Sequence, residues 1–279
     1  MQDFSEKELK KLYISSVNSH KGQNGKLLLI SGSKLFHSSS LWGLKVASRI
    51  VDMVFYSSVD ENNKIVQDLK KEFRDGIVVP RSKIEDYIKE TDCILIGSGL
   101  PRKDGEEKGD DDTKELTENL LKKYPKKKWV IDGGSLQVIN PEIIPQNSII
   151  TPHSREFKIL FGINVSEENI KKMSKKYRIV ILAKGQTDFI CQSFGSAQSK
   201  ARCVRVSGGN VGMTKGGTGD ILAALIASFY CKNNAFLSAC AGSYINKKAG
   251  ENLFKRVGYY FNSSDLVDEI PRIMRDLLI

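Results

Sequence analysis

Short aliphatic and β-branched runs alternate with longer segments of helical period along almost the whole chain, and this alternation restricts the fold more than any other feature. Strands are expected at 26–30, 53–56, 76–79, 93–96, 129–131, 148–150, 179–182 and 188–191. Most of these are unbroken apolar runs, the pattern of strands buried on both faces. A mostly parallel sheet with helices on both sides follows, an α/β class. Helices are expected at 41–51, 84–90, 113–124, 154–161, 166–176, 220–230, 235–256 with a break, and 264–277. In the last, Leu266, Ile270, Ile273 and Leu277 keep helical spacing and give one apolar stripe that docks on the body. With no internal repeat and no Pro/Ser-rich linker, residues 1–279 read as one domain.

Composition narrows the partners. The net charge of +10 is spread in short runs such as Lys126-Lys127-Lys128, mixed with acidic residues. No arginine stripe interleaved with aromatics appears, so nucleic acid is not expected as a partner. No stretch approaches the ~20 apolar residues that span a bilayer, and the polar start of the chain is not a secretory leader. Five scattered cysteines without a C-x-x-C pair suggest neither a disulfide nor a zinc site, only small core residues in a reducing cytoplasm. The polar segment 101–112, with Asp110-Asp111-Asp112 ahead of a helix, reads as a solvated surface loop.

Chemistry is concentrated where Lys215-Gly216-Gly217-Thr218-Gly219-Asp220 runs directly into an apolar helix. Glycines allow a tight turn that presents main-chain N–H groups, and the helix adds the positive end of its dipole, so the junction suits a phosphate. A carboxylate beside a phosphate needs a task of its own. Asp220 is therefore a candidate general base for a hydroxyl that attacks the terminal phosphate, with a plain helix cap as the alternative. Lys215 precedes the glycines, which excludes the G-x-x-x-x-G-K-S/T loop, and no early G-x-G-x-x-G supports hydride transfer.

Three further strand ends carry weaker signals. Lys184-Gly185-Gln186-Thr187-Asp188 follows an apolar strand, where parallel sheets gather ligands, though taken alone it reads better as a plain hairpin turn. His153, after Thr151-Pro152, is placed to bond a substrate or to cap a helix. Gly97-Ser98-Gly99 permits close approach to the main chain.

Taken in order, the motifs Gly32-Ser33-Lys34, Gly97-Ser98-Gly99-Leu100, Asp132-Gly133-Gly134, Thr151-Pro152-His153-x-x-Glu156-Phe157, Ala183-Lys184-Gly185-x-x-Asp188 and Gly209-Asn210-x-Gly212-Met213-Thr214-Lys215-Gly216-Gly217-Thr218-Gly219-Asp220 resemble the ATP- or ADP-dependent NAD(P)H-hydrate dehydratases. That family is a branch of the ribokinase-like superfamily, and the likeness spans about 25 to 250. It implies a ribokinase-like three-layer α/β/α fold. The implied reaction returns hydrated NADH or NADPH to the reduced cofactor: a nucleotide phosphorylates the ring hydroxyl, and phosphate is then eliminated. It further implies that Lys184, Gly185, Gln186, Thr187, Asp188 and Gly219 meet the adenine nucleotide, together with Gly216, Gly217 and Thr218 of the phosphate turn. Ser39, Gly99, His153 and Asp220 would meet the hydrate, with Asp220 catalytic. ATP or ADP with Mg²⁺ is the implied cofactor set, and spacing names no protein ligand for the ion. A homo-oligomer is expected by analogy, and an epimerase on a separate chain as functional partner.

The chain departs from the family at Ser38-Ser39-Ser40 in place of Gly-Ala-Pro, at Pro101 in place of Gly, and at Gly134 where many members have Asp. All three touch the hydrate pocket. A ribokinase-like small-molecule kinase, such as a hydroxyethylthiazole-type kinase, is the alternative enzyme. A non-catalytic nucleotide-binding module is the alternative outside enzymes.

Overall fold

The computed structural model describes residues 1–102, 105–193 and 201–279. Ten strands form one sheet: β1 (Gln2–Asp3), β2 (Lys26–Ile30), β3 (Met53–Ser57), β4 (Ile77–Val78), β5 (Cys93–Ile96), β6 (Lys128–Ile131), β7 (Ile149–Ile150), β8 (Val180–Ala183), β9 (Asp188–Gln192) and β10 (Arg202–Val206). Their spatial order is β1-β10-β9-β8-β7-β6-β5-β2-β3-β4. From β4 to β8 every pairing is parallel, while β8–β9 and β9–β10 are antiparallel.

Apolar residues on both sides of the central strands create two cores. Leu27 and Leu29 of β2 enter one core while Leu28 and Ile30 enter the other, and Cys93 and Leu95 against Ile94 and Ile96 repeat the division in β5. The first core is closed by α1 (Ser38–Ala47), α2 (Asp60–Leu69), α8 (Thr218–Lys232), α9 (Ala235–Val257) and α10 (Ser263–Leu278). The second is closed by α3 (Ile84–Glu90), α4 (Thr113–Lys123), α5 (Gly133–Val138), α6 (Ser154–Phe161) and α7 (Glu167–Tyr177). Every residue of α8 from Ile221 to Cys231 is buried, because this helix lies between the sheet and the helices α1 and α9. Each of its large apolar side chains contributes on the order of 1.5–3 kcal/mol by leaving water.

Several expectations need correction. Helix α9 runs through the break expected within 235–256, because small residues such as Gly242, whose place is taken up by Ile226 of α8, let the two helices touch without bending. The expected strands and helices also omitted α2, α5, β1 and β10: α2 begins with polar residues and has only Ile65, Val66 and Leu69 as apolar ones, α5 is short, and β10 has the exposed Arg202 and Arg205 interrupting its apolar pattern. Cys191 and Cys203, expected to be free, form a disulfide. They are direct cross-strand partners of β9 and β10 with Cα atoms 4.2 Å apart, a proximity that exists only once the antiparallel register is set. Cysteine usage therefore no longer argues for a reducing compartment. Cys93, Cys231 and Cys240 are free and buried.

The acidic cluster is also more engaged than a solvated loop. Asp110 accepts the Lys34 N–H at 2.9 Å, Asp111 pairs with Arg81 at 2.5 Å, and Asp112 caps α4 through the Glu115 N–H. Lys103 and Asp104 of that segment lie outside the described residues. Among the described residues, no helix is long and apolar enough to cross a membrane.

Candidate active site

From β2 the chain moves outward in one direction through β3 and β4, then returns to β5 and proceeds the other way through β6, β7 and β8. A crevice opens outside the carboxyl ends of the strands at such a reversal. There a cavity of about 1020 Å³ collects the segments that leave β2, β5, β6, β7 and β8, together with the turn that starts α8.

The turn holds its shape by contacts from below. Gly217, the N-cap of α8, has φ +96°, and a Cβ there would stand 2.1 Å from the Trp42 ring, so both conformation and space require glycine. Lys215 reaches back to the Tyr259 and Phe261 carbonyls, and the Ser263 hydroxyl donates to the Gly216 carbonyl at 2.6 Å. Gly216 itself faces open space. In the first turn of α8 the Thr218 N–H donates to the Lys215 carbonyl at 3.4 Å, while those of Gly219 and Asp220, both of which line the cavity, have no acceptor inside the helix and suit an anion. Thr218 spends its hydroxyl on the Met213 carbonyl at 2.7 Å and does not line the cavity.

Asp220 follows one residue beyond Gly219, in the first turn rather than at the N-cap, and makes no hydrogen bond or ion pair with any described residue. The helix-cap alternative thus loses its hydrogen bond. Burial first, and the Asp132 charge second, push the Asp220 carboxyl up to about 7, with the Lys184 ammonium acting the other way.

Lys184 is held between strand ends. Its main-chain N–H donates to the Pro152 carbonyl at 2.8 Å, and its ammonium lies 2.7 Å from Asp132 and 3.9 Å from Glu156. A Cβ on Gly219 would meet that ammonium at 3.4 Å, so Lys184 abuts the start of α8. Burial opposes its charge, but the Asp132 and Glu156 carboxylates outweigh that and hold its pKa above the ordinary lysine value. Asp132, only 1% exposed, also accepts from Ser98 at 3.1 Å and Thr151 at 2.7 Å.

His153 performs the cap expected of a histidine at this junction. Its Nδ1 accepts the Arg155 and Glu156 N–H groups, and Glu156 returns the bond to the His153 N–H, a capping box that fixes the entry to α6. The imidazole also lines the cavity. Burial, then the Lys184 charge, lower its pKa, so the neutral ring prevails. Glu156 is pushed above the usual carboxylate range by burial.

Of the residues expected at the site, Ser39, Gly99, His153, Lys184, Gly216, Gly217, Gly219 and Asp220 line this one cavity. Gly99 has φ +70°, and a Cβ there would collide with the Ser39 hydroxyl, which explains how these two come together. Gly185, Gln186, Thr187 and Asp188 lie outside its lining. They form the tight turn between β8 and β9, where Asp188 accepts the Gly185 N–H at 2.9 Å and the Ser243 hydroxyl at 2.7 Å. Lys247 closes the same turn through the Gly185 and Gln186 carbonyls. Asp132, Glu156 and Trp42 were not among the expected site residues. A lone Asp at a strand's carboxyl end and a Glu three residues after a capping His are the signals that could have found the first two.

Solved structures share this architecture throughout. A ribokinase-like superfamily protein from Enterococcus faecalis superposes with a TM-score of 0.81 at 20% identity, covering 99% of this chain and 96% of that one. An ADP/ATP-dependent NAD(P)H-hydrate dehydratase from Bacillus subtilis, co-crystallized with ATP/Mg²⁺, gives 0.78 at 20% identity, covering 99% and 98%. A hydroxyethylthiazole kinase from Pyrococcus horikoshii gives only 0.58 at 14% identity, covering 96% and 94%. The chain therefore has the ribokinase-like α/β fold. More narrowly, the chain belongs to the NAD(P)H-hydrate dehydratase family, whose sequence model matches residues 27–272. It is 36% identical over 279 residues to a bifunctional NAD(P)H-hydrate repair enzyme of Methanocaldococcus jannaschii, covering 96% of this chain and 52% of that protein. Against an ADP-dependent (S)-NAD(P)H-hydrate dehydratase of Nitrosopumilus maritimus it is 30% identical, covering 92% and 91%. The chain spans about half the length of the bifunctional relatives it matches.

Proposed function

We propose that the chain is a nucleotide-dependent NAD(P)H-hydrate dehydratase. The observation that carries this reading is the unbonded Asp220 carboxyl beside a glycine turn at a helix start, with the Lys184 ammonium against Gly219 of that turn, in a single cavity. The turn at 216–219 and the first amides of α8 grip the nucleotide's terminal phosphates, and the turn Lys184–Asp188 takes the rest of the adenine nucleotide. Ser39, Gly99 and His153 hold the hydrated nicotinamide so that its ring hydroxyl faces Asp220. Asp220 takes the hydroxyl proton as the phosphoryl group moves to the oxygen, which is general-base work suited to a group that titrates near neutrality. Lys184 offsets the charge that accumulates on the phosphates and stays fixed because Asp132 anchors it. Loss of phosphate from the ring, together with a proton from the neighbouring ring carbon, then restores the reduced cofactor.

A magnesium ion, when bound, neutralises phosphate charge. Such ions usually keep water and substrate phosphates as ligands. Among the described residues, no three His, Cys, Asp or Glu are grouped to hold a metal, so we assign the ion to the nucleotide and name no protein ligand.

The test is incubation of chemically hydrated NADH or NADPH with ATP or ADP and Mg²⁺, followed at the absorbance of the reduced nicotinamide. Absorbance should return with at least one nucleotide in the wild type, and not in Asp220→Asn. Silence of the wild type with both nucleotides and both hydrates removes the proposal.

A further inference from the structure

We propose that Glu156 is a second catalytic base, which takes the carbon-bound hydrogen whose loss completes the dehydration. The inference rests on the dehydratase reading and extends it. Hydration of a dihydronicotinamide is hydration of an enamine, in which the proton adds to one ring carbon and water to its neighbour beside the ring nitrogen. The reverse therefore breaks two bonds. As the carbon–oxygen bond breaks, phosphate leaves with the electron pair and the ring nitrogen's lone pair forms a C=N bond. A base must then take the hydrogen from the adjacent carbon. The C–H pair becomes the C=C bond, and the C=N pair returns to nitrogen.

Asp220 is not free for this step, since it still carries the hydroxyl proton gained during phosphoryl transfer. The other ionisable groups on the cavity wall are constrained. Asp132 is committed to Ser98, Thr151 and Lys184 through contacts of 3.1, 2.7 and 2.7 Å. His153 spends Nδ1 on two main-chain N–H groups, which leaves Nε2 as the protonated nitrogen, 3.3 Å from the Glu156 Oε1. It can donate there but not accept. The Lys184 ammonium is charged and has no lone pair to offer.

Glu156 is left. One of its oxygens, Oε2, accepts the His153 N–H at 2.9 Å, but Oε1 has only two longer contacts, at 3.3 Å to Gln137 Nε2 and 3.3 Å to His153 Nε2. Its carboxyl lines the same cavity as Asp220, and Lys184 lies between it and the start of α8. Burial that raises its proton affinity toward neutrality suits it to accept from carbon. Glu156, 3.9 Å from the Lys184 ammonium, and Asp220, in the first turn of α8, thus divide two proton transfers.

Glu156→Gln is the variant to make, because glutamine at this position keeps a capping box and nearly the same volume. In the wild type, hydrate-dependent release of ADP from ATP and return of reduced nicotinamide proceed together. In Glu156→Gln, we expect the first turnover of ATP to survive within about threefold while reduced nicotinamide appears on the order of 10²-fold more slowly or worse. Hydrate prepared in deuterium oxide, which carries deuterium on the carbon in question, should slow the variant further than it slows the wild type. Glu156→Asp should recover part of the rate. The assignment is overturned if ATP turnover and nicotinamide return fall together, if neither falls, or if deuterium slows both proteins equally. A wild type silent with both nucleotides overturns the dehydratase reading itself, and this inference with it. An active wild type with any of the former results overturns only the role of Glu156.

Discussion

Replacing Asp220 by Asn should abolish turnover and yet stabilise the protein at alkaline pH. The carboxyl is raised from 3.8 to about 7 because the fold buries it near Asp132. Below pH 3.8 it is protonated in both folded and unfolded chains, and wild type and variant should be equally stable at this position. Between 3.8 and 7 the unfolded chain loses a proton that the folded chain retains, so wild-type stability falls as pH rises. Above 7 the penalty is complete, at roughly 4 kcal/mol for this difference. Asn keeps the shape without the charge, and Lys184 keeps its Asp132 partner, so no buried charge is orphaned. With a urea slope of ~3 kcal/mol per molar for a chain of this size, the variant's midpoint should exceed that of the wild type by about 1 M at pH 8. At pH 4 the two midpoints should nearly coincide. Over the same range wild-type kcat/KM should rise as pH passes through about 7, since the ionised form is the base. A midpoint difference that does not change between pH 4 and pH 8 refutes the electrostatic account of this site.

Other consequences are simpler. Lys184→Met leaves the buried Asp132 carboxylate without its cation and should cost about 3–5 kcal/mol in urea unfolding, much of it recovered when Asp132→Asn is added. Gly217→Ala drives a methyl group into the Trp42 ring and forces an unfavourable φ, so nucleotide affinity measured by calorimetry should drop at least tenfold while Gly216→Ala, in open space, is tolerated better. Reducing the Cys191–Cys203 disulfide, or making Cys203→Ser, should lower stability by about 3 kcal/mol for a loop of this length, and mass spectrometry of the oxidised protein should show one intramolecular bridge.

Much of the fold was legible in the residues themselves. Unbroken apolar runs such as Leu27–Ile30 have no polar side to give to solvent, so a sheet covered on both faces was already required. The glycine turn before α8 was legible as a turn opening an apolar helix, while its left-handed backbone at Gly217 came from the structure. For His153, local chemistry offered a cap beside a substrate contact, and the structure shows the cap.

What the chain alone did not reveal depends on residues far apart in sequence. Asp132, Glu156, Lys184 and Asp220 belong to four separate segments and interact only because β6, β7 and β8 lie side by side and deliver their ends to the start of α8. The disulfide likewise waits on a register that places Cys191 opposite Cys203. Spacing along a chain determines which residues share a strand or helix face, since that geometry is local. Charge coupling and burial fall off with distance in space, so the proton affinities of these carboxyls were decided by tertiary structure.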